Sequence, residues 1–217
     1  MSTPTHTVRT EQEPRHWDDP NAMVGLFAVP VWTVDLLIAE DDLAHLCEDI
    51  DRQLAVHRLA NVPGQQTGSI LQDRSEPWWV GYHDALLAAT DTVASCLVPG
   101  WSDRFWRSWG LRFERQEDYR PHRWWIHSHQ PATFSCVVAL SQPPHLEGTV
   151  AGATVLRNPQ ANLSEITGSN REWHGPARSC AGLIFPGPIE HHPEVPDLID
   201  HDWCGARTSI VSDVCYY

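Results

Sequence analysis

The sequence predicts a mainly β domain with flanking helices, and three observations carry that prediction. From Trp109 to Val214, short runs of β-branched, aromatic and small residues recur, divided by Pro, Gly and Asn. Ahead of them lie two stretches whose apolar residues are spaced as on an amphipathic helix. A chain of 217 residues, 41% hydrophobic, is long enough for one sizeable core, and a domain of this size buries about 70% of the surface its unfolded chain exposes.

Taken in order, residues 1–21 are rich in Thr, Glu, Pro, Asp and Arg and read as a disordered N-terminal tail, with the folded domain spanning 22–217. Phe27 to Leu37 alternates as a strand, with an edge position at Pro30. Leu43, Leu46, Cys47, Ile50 and Leu54 recur at helical spacing, and Glu40, Asp41 and Asp42 crowd the first turn, where the helix dipole favours acids. Asn61 to Glu76 reads as a loop. A second helix is predicted over His83 to Leu97, with Leu86, Leu87, Val93 and Leu97 on its buried side and Pro99-Gly100 closing it.

Trp109, Leu111 and Phe113 alternate with Gly110, Arg112 and Glu114 as a half-buried strand does, and further strands are predicted at Phe134 to Leu140, Ala153 to Leu156, Ala181 to Phe185 and Thr208 to Val214. Between Arg157 and Ser179 the residues are mostly polar. A connection this long is either a cover over a site or a surface insertion without a role.

Composition excludes several classes of function. With 15 basic against 28 acidic residues and a net charge of -13, release of counterions from a phosphate backbone would not favour binding, so nucleic acid is not expected as a partner. No apolar run approaches the 18 or so residues of a membrane span, and Met1 to Asp19 has no apolar signal segment. The six cysteines contain no Cys-x-x-Cys pair, so reduced thiols in the cytoplasm are the expectation. Eleven Trp, with doublets at Trp78-Trp79 and Trp124-Trp125, serve packing in the main, and some can line a pocket.

The residues that carry chemistry fall late in the chain. If Ile126 to His129 is extended, His127 and His129 emerge on one face while Ser128 points away, so two imidazoles face one point. His191 follows the turn-like Phe185-Pro186-Gly187-Pro188, with His192 as its competitor. Arg207 and Ser209 share a face of the closing strand, where a planar guanidinium and a hydroxyl suit a carboxylate. His122, Arg123 and Trp125 precede the His pair and are candidate substrate contacts. His16, His57, His83, His145, His174 and His201 belong to no motif and read as exposed or hydrogen-bonded residues.

In this order the pieces resemble the 2-oxoglutarate/Fe(II) oxygenase superfamily, most closely the 2-oxoglutarate-Fe(II) oxygenase group of phages and bacteria. The resemblance spans roughly residues 24 to 214. It rests on Leu26 to Trp32, His127-x-His129-x-Pro131, Ser135 at the head of an apolar strand, Asn158-Pro159, Gly182 to Pro186 followed by His191, and Arg207-x-Ser209. It implies a double-stranded β-helix, a jelly roll of the cupin kind. It also implies Fe(II), 2-oxoglutarate and O2 as cofactors, Arg207 and Ser209 on the distal carboxylate of 2-oxoglutarate, and hydroxylation of a C–H bond of a small molecule with release of succinate and CO2.

One departure falls on a position that matters. The usual strand motif is His-x-Asp or His-x-Glu, and this chain has His129 where the acid would stand. Three arrangements follow: all three His ligate; one of His127 and His129 ligates while the other supports it; or a carboxylate from elsewhere, such as Glu114, Glu147 or Asp213, completes the site. Two further classes of function stay open, a three-His cupin-type dioxygenase that does not use 2-oxoglutarate and a non-catalytic β-helix binding module.

Overall fold

The computed structural model describes residues 5–7, 23–26, 29–60, 62, 64–114, 118, 126–144, 146, 153–157, 172–176, 178–194 and 205–217. Among these residues, eleven strands and two α-helices follow in the order β1 (Thr5–Thr7), β2 (Met23–Leu26), β3 (Val29–Leu37), α1 (Glu40–His57), β4 (Gln65–Gln66), α2 (Pro77–Leu97), β5 (Arg104–Phe113), β6 (Phe134–Ser141), β7 (Thr154–Arg157), β8 (Glu172–His174), β9 (Ala181–Pro186), β10 (His191–Pro193) and β11 (Arg207–Tyr216). The main sheet runs β1-β3-β9-β6-β11-β5-β4 with β2 also on β3, and a smaller sheet runs β10-β7-β8. Every pairing among the described residues is antiparallel.

Period-two alternation sorts each central strand of the main sheet into two faces. Phe134, Cys136, Val138 and Leu140 of β6, with Ile210 and Val214 of β11 and Trp32, Val34 and Leu36 of β3, pack on α1 and α2 through Leu46, Ile50, Trp79, Tyr82, Leu86 and Val93. The opposite face presents Val31, Trp109, Val137, Leu183, Phe185 and Val211, which pack against Leu156 of β7 and Trp173 of β8. β6 is buried from Phe134 to Leu140 and reads as an unbroken apolar run from Cys136 to Leu140, because both of its faces are covered. Each large side chain buried in this way contributes about 1.5–3 kcal/mol.

Helix α1 matches its expected span and starts with the acids of its first turn. Helix α2 starts at Pro77, ahead of the expected His83, because Pro77 occupies the first helical turn and Trp79 is fully buried one turn before Tyr82 and His83. The indole of Trp79 donates to the buried Asp49 carboxylate at 2.8 Å, which also takes Arg74 at 3.1 Å, so the doublet ties α2 to α1. Leu97, expected on the buried side, is 43% exposed at the end of the last turn. The loop expected over 61–76 contains β4 and a 3-10 turn at Leu71–Asp73. Thr5–Thr7, inside the expected tail, pair with Leu37 to Asp35, and the rest of 1–21 lies outside the described residues. No helix among the described residues is long and apolar enough to cross a membrane.

Candidate metal centre

The strand order brings three distant segments to one end of the inner face. His127 and His191 exchange two backbone hydrogen bonds, His127 N to His191 O at 3.2 Å and His191 N to His127 O at 2.9 Å, as an isolated antiparallel bridge. His129 N donates to Gly187 O at 2.8 Å, tying the His pair to the turn after β9. Only His127 forms a bridge in the stretch expected to be extended, yet the two rings do converge, with centroids 5.0 Å apart. The ring of His191 lies 4.3 Å from that of His127 and 4.8 Å from that of His129. The nitrogens that these three residues offer all lie within 4.8 Å of one another, and no carboxylate among the described residues joins them.

Hydrogen bonds settle which nitrogens face inward. Nδ1 of His191 has the Ile189 carbonyl at 3.1 Å as its acceptor, leaving Nε2 for the cluster. Burial, then the neighbouring His127 and His129, push the His191 pKa well below its ordinary value, so the ring is neutral with a lone pair available. Nδ1 of His129 meets Asp213 Oδ1 at 2.7 Å. That same oxygen accepts from Ser135 Oγ at 2.7 Å, and Oδ2 accepts from Arg107 Nε at 3.1 Å and Nη2 at 2.8 Å. Burial alone would raise the Asp213 carboxyl, but the hydrogen bond and charge of His129, with Ser135 and Arg107, hold it below the usual carboxylate value.

A cavity of about 380 Å³ opens beside the cluster, lined by all three His together with Trp109, Arg207 and Ser209. Arg207 is 4% exposed and Ser209 1%, and Arg207 Nε and Ser209 Oγ are buried without a hydrogen-bond partner among the described residues. Orphaned donors at the wall of a cavity fit a bound anion, because unpaired buried polar groups are otherwise rare. Three imidazoles on one face fit a first-row divalent metal such as iron. The donor set and the anion pocket therefore match Fe(II) with a carboxylate co-substrate.

Other expectations resolve individually. His192 turns away, its Nε2 3.7 Å from Glu172. Glu114 pairs with Arg112 and Gln65, so it is not available to complete the site. Glu190 is exposed and faces Arg157 at 3.4 Å. His83 contradicts its reading: it is buried among Trp79, Tyr82 and Trp106 with Nε2 unpartnered. His122, Arg123, Trp125, Glu147 and most of the expected cover between Arg157 and Ser179 lie outside the described residues, although β8 falls within that stretch.

Two lining residues escaped the sequence reading. Arg107 and Trp109 share the pocket face of β5 with Leu111 and Phe113, and the Trp109 ring lies 5.4 Å from that of His129. Gln142 is buried with both amide atoms unpartnered, next to Ser141, which pairs with Thr208. The alternation of β5 could have pointed to Arg107, but the polar Arg-Phe-Trp-Arg start of that strand masks it.

No protein-family model matches the sequence, and a search of curated proteins gives no match. Among solved structures the chain is similar to the non-heme alpha ketoglutarate dependent epimerase SnoN from nogalamycin biosynthesis, with a TM-score of 0.59 at 13% identity over 85% of this chain and 76% of that one. The carbocyclase SnoK of the same biosynthesis gives 0.59 at 11% identity, over 85% and 78%. HygX from Streptomyces hygroscopicus, with nickel, 2-oxoglutarate and hygromycin B bound, gives 0.55 at 11%, over 85% and 83%. At these identities the likeness is one of architecture, and the chain has the double-stranded β-helix fold that these 2-oxoglutarate enzymes share.

Proposed function

We propose that the protein is a non-haem Fe(II)- and 2-oxoglutarate-dependent oxygenase that hydroxylates a C–H bond of a small molecule. The observation that carries this reading is the presence, in one cavity, of a three-imidazole cluster and a buried Arg-Ser pair with orphaned donors. HygX, similar in fold, holds nickel and 2-oxoglutarate in its structure, which supports the same pairing of metal and co-substrate here.

In this reading His127, His129 and His191 hold the metal through neutral nitrogens, and Arg207 with Ser209 orients the distal carboxylate of 2-oxoglutarate. Iron with 2-oxoglutarate and O2 supplies the oxidising chemistry, with succinate and CO2 as by-products. The chain's own contribution is to bind and to exclude water. Val137, Val211, Leu111 and Phe113 make the cavity wall apolar, which strengthens the attraction of Arg207 for an anion. His122, Arg123 and Trp125 are the proposed substrate contacts. The unpaired thiols of Cys47, Cys96, Cys136 and Cys215 agree with a reducing cytoplasmic setting.

A three-His dioxygenase that does not use 2-oxoglutarate is the second reading, favoured by the absence of a carboxylate from the cluster among the described residues. The orphaned Arg207 and Ser209 weigh against it, since that chemistry has no need of a carboxylate anchor. Anaerobic addition of Fe(II) and then 2-oxoglutarate separates the two. A charge-transfer absorption of the iron chelate is expected in the wild type, weakened in Arg207→Ala and absent in His191→Ala. Iron bound without that absorption supports the second reading, and no iron bound at all overturns both.

A further inference from the structure

One buried carboxylate of this chain, that of Asp213, meets the imidazole cluster through His129. On β11, Arg207, Ser209, Val211 and Asp213 share one face by alternation, and the first three line the cavity. The ladder sets Asp213 directly opposite Ser135 of β6 on one side and Arg107 of β5 on the other. Residues so paired meet on the same face, and both neighbours bond the carboxylate: Ser135 Oγ to Oδ1 at 2.7 Å, Arg107 to Oδ2 at 2.8 and 3.1 Å. The remaining contact of Oδ1 is His129 Nδ1 at 2.7 Å. The Asp213 side chain is 3% exposed. With both oxygens committed, it is held in one orientation and is not free to swing toward the cluster.

We infer that Asp213, clamped by Arg107 and Ser135, is a positioning residue that makes His129 a metal ligand. Accepting the Nδ1 proton fixes the tautomer, aims Nε2 at the cluster and makes the imidazole a stronger donor. Trp109, 5.4 Å from the ring of His129, packs against it. The same geometry accounts for the departure from His-x-Asp: an acid at position 129 would face the Asp213 carboxylate in a buried site, whereas an imidazole bridges it to the metal. The inference rests on the proposal that the cluster holds a divalent metal, and it concerns which residues tune that metal.

The test uses Co(II) as an optical probe of metal binding to the full chain, with equilibrium dialysis for affinity. Asp213→Asn is expected to raise the Co(II) Kd on the order of 10- to 100-fold. In the metal-free protein, nitrogen chemical shifts are expected to show His129 protonated on Nδ1 in the wild type and on a mixture of nitrogens in Asp213→Asn. Ser135→Ala removes the hydroxyl that bonds Asp213 Oδ1 at 2.7 Å and lies 2.9 Å from His129 Nδ1, and is expected to lose affinity severalfold, which keeps the question decidable if Asp213→Asn does not fold. A coupled pair adds a signature that a merely structural role would not give: His129→Asp alone binds Co(II) poorly, and adding Asp213→Asn recovers binding. A wild type that binds Co(II) while Asp213→Asn matches it in affinity and tautomer overturns this inference alone. A wild type that binds no metal removes the metal centre itself.

Discussion

Arg207 stands opposite Phe113 across the β5–β11 ladder, with its guanidinium carbon 5.9 Å from the centroid of that ring, and it is 4% exposed. A buried cation is thus held over an aromatic face, with no carboxylate paired to it among the described residues. The ring attracts the charge, but less than a partnered acid would, so the position favours binding an anion over stability. Replacing Arg207 with Met is expected to stabilise the protein alone by about 1 kcal/mol or more. It should also remove the stabilisation by 2-oxoglutarate, which in the wild type reaches about 2.7 kcal/mol at one hundred times Kd. Urea unfolding with Fe(II) present anaerobically, with and without 2-oxoglutarate, checks both signs. A Met variant that is less stable and still responds to 2-oxoglutarate would contradict the assignment.

Gly187 joins the segment that carries His129 to the turn that leads to His191. Its carbonyl takes the amide of His129 at 2.8 Å, and its own amide donates to Thr133 O at 3.1 Å. A Cβ here would collide with the Ala132 carbonyl oxygen and lie 2.9 Å from that of His129. These are backbone atoms that cannot step aside, so the turn after β9 and the segment carrying His129 would have to separate. Gly187→Ala is expected to cost about 1–3 kcal/mol of stability and to weaken Co(II) binding on the order of tenfold. Thermal unfolding and metal titration of the same preparation measure the two effects.

His83 gives the fold a pH dependence of its own, outside the imidazole cluster. It is buried in α2 among aromatic rings, and burial lowers its pKa from 6.5 to about 4. Below pH 6.5 the unfolded chain takes up a proton that the folded ring refuses until about pH 4. Stability contributed by the neutral ring is therefore complete above 6.5 and is lost as pH falls toward 4. By pH 5 the loss is about 2 kcal/mol. Urea unfolding at pH 7.5 and pH 5 is expected to show this difference in the wild type and not in His83→Leu. Equal slopes in both proteins would rule the effect out.

Much of the architecture is legible from local pattern. The α1 helix and the strands β6, β9 and β11 fall close to where periodicity and Pro or Gly punctuation put them. The reason is that alternation reports burial directly wherever a strand has one or two covered faces. The misses have physical causes too. α2 begins early because Trp79 bonds Asp49 and Trp78 stacks on His45 of another element, contacts invisible in the helix's own sequence. His83 lacks the polar partner expected of a histidine because it packs among rings from α2 and β5.

By itself the sequence determined which residue types could do the chemistry and on which side of each strand they sit, since a period of two is set within the strand. It left open how the rings of His127, His129 and His191 stand relative to one another and to Asp213. Only the tertiary structure decided that, because the β11 register brings Asp213 between Ser135 and Arg107, and the His127–His191 bridge closes the cluster. Local pattern assigns a face to a side chain, whereas the meeting of faces depends on long-range pairing that no window of sequence contains.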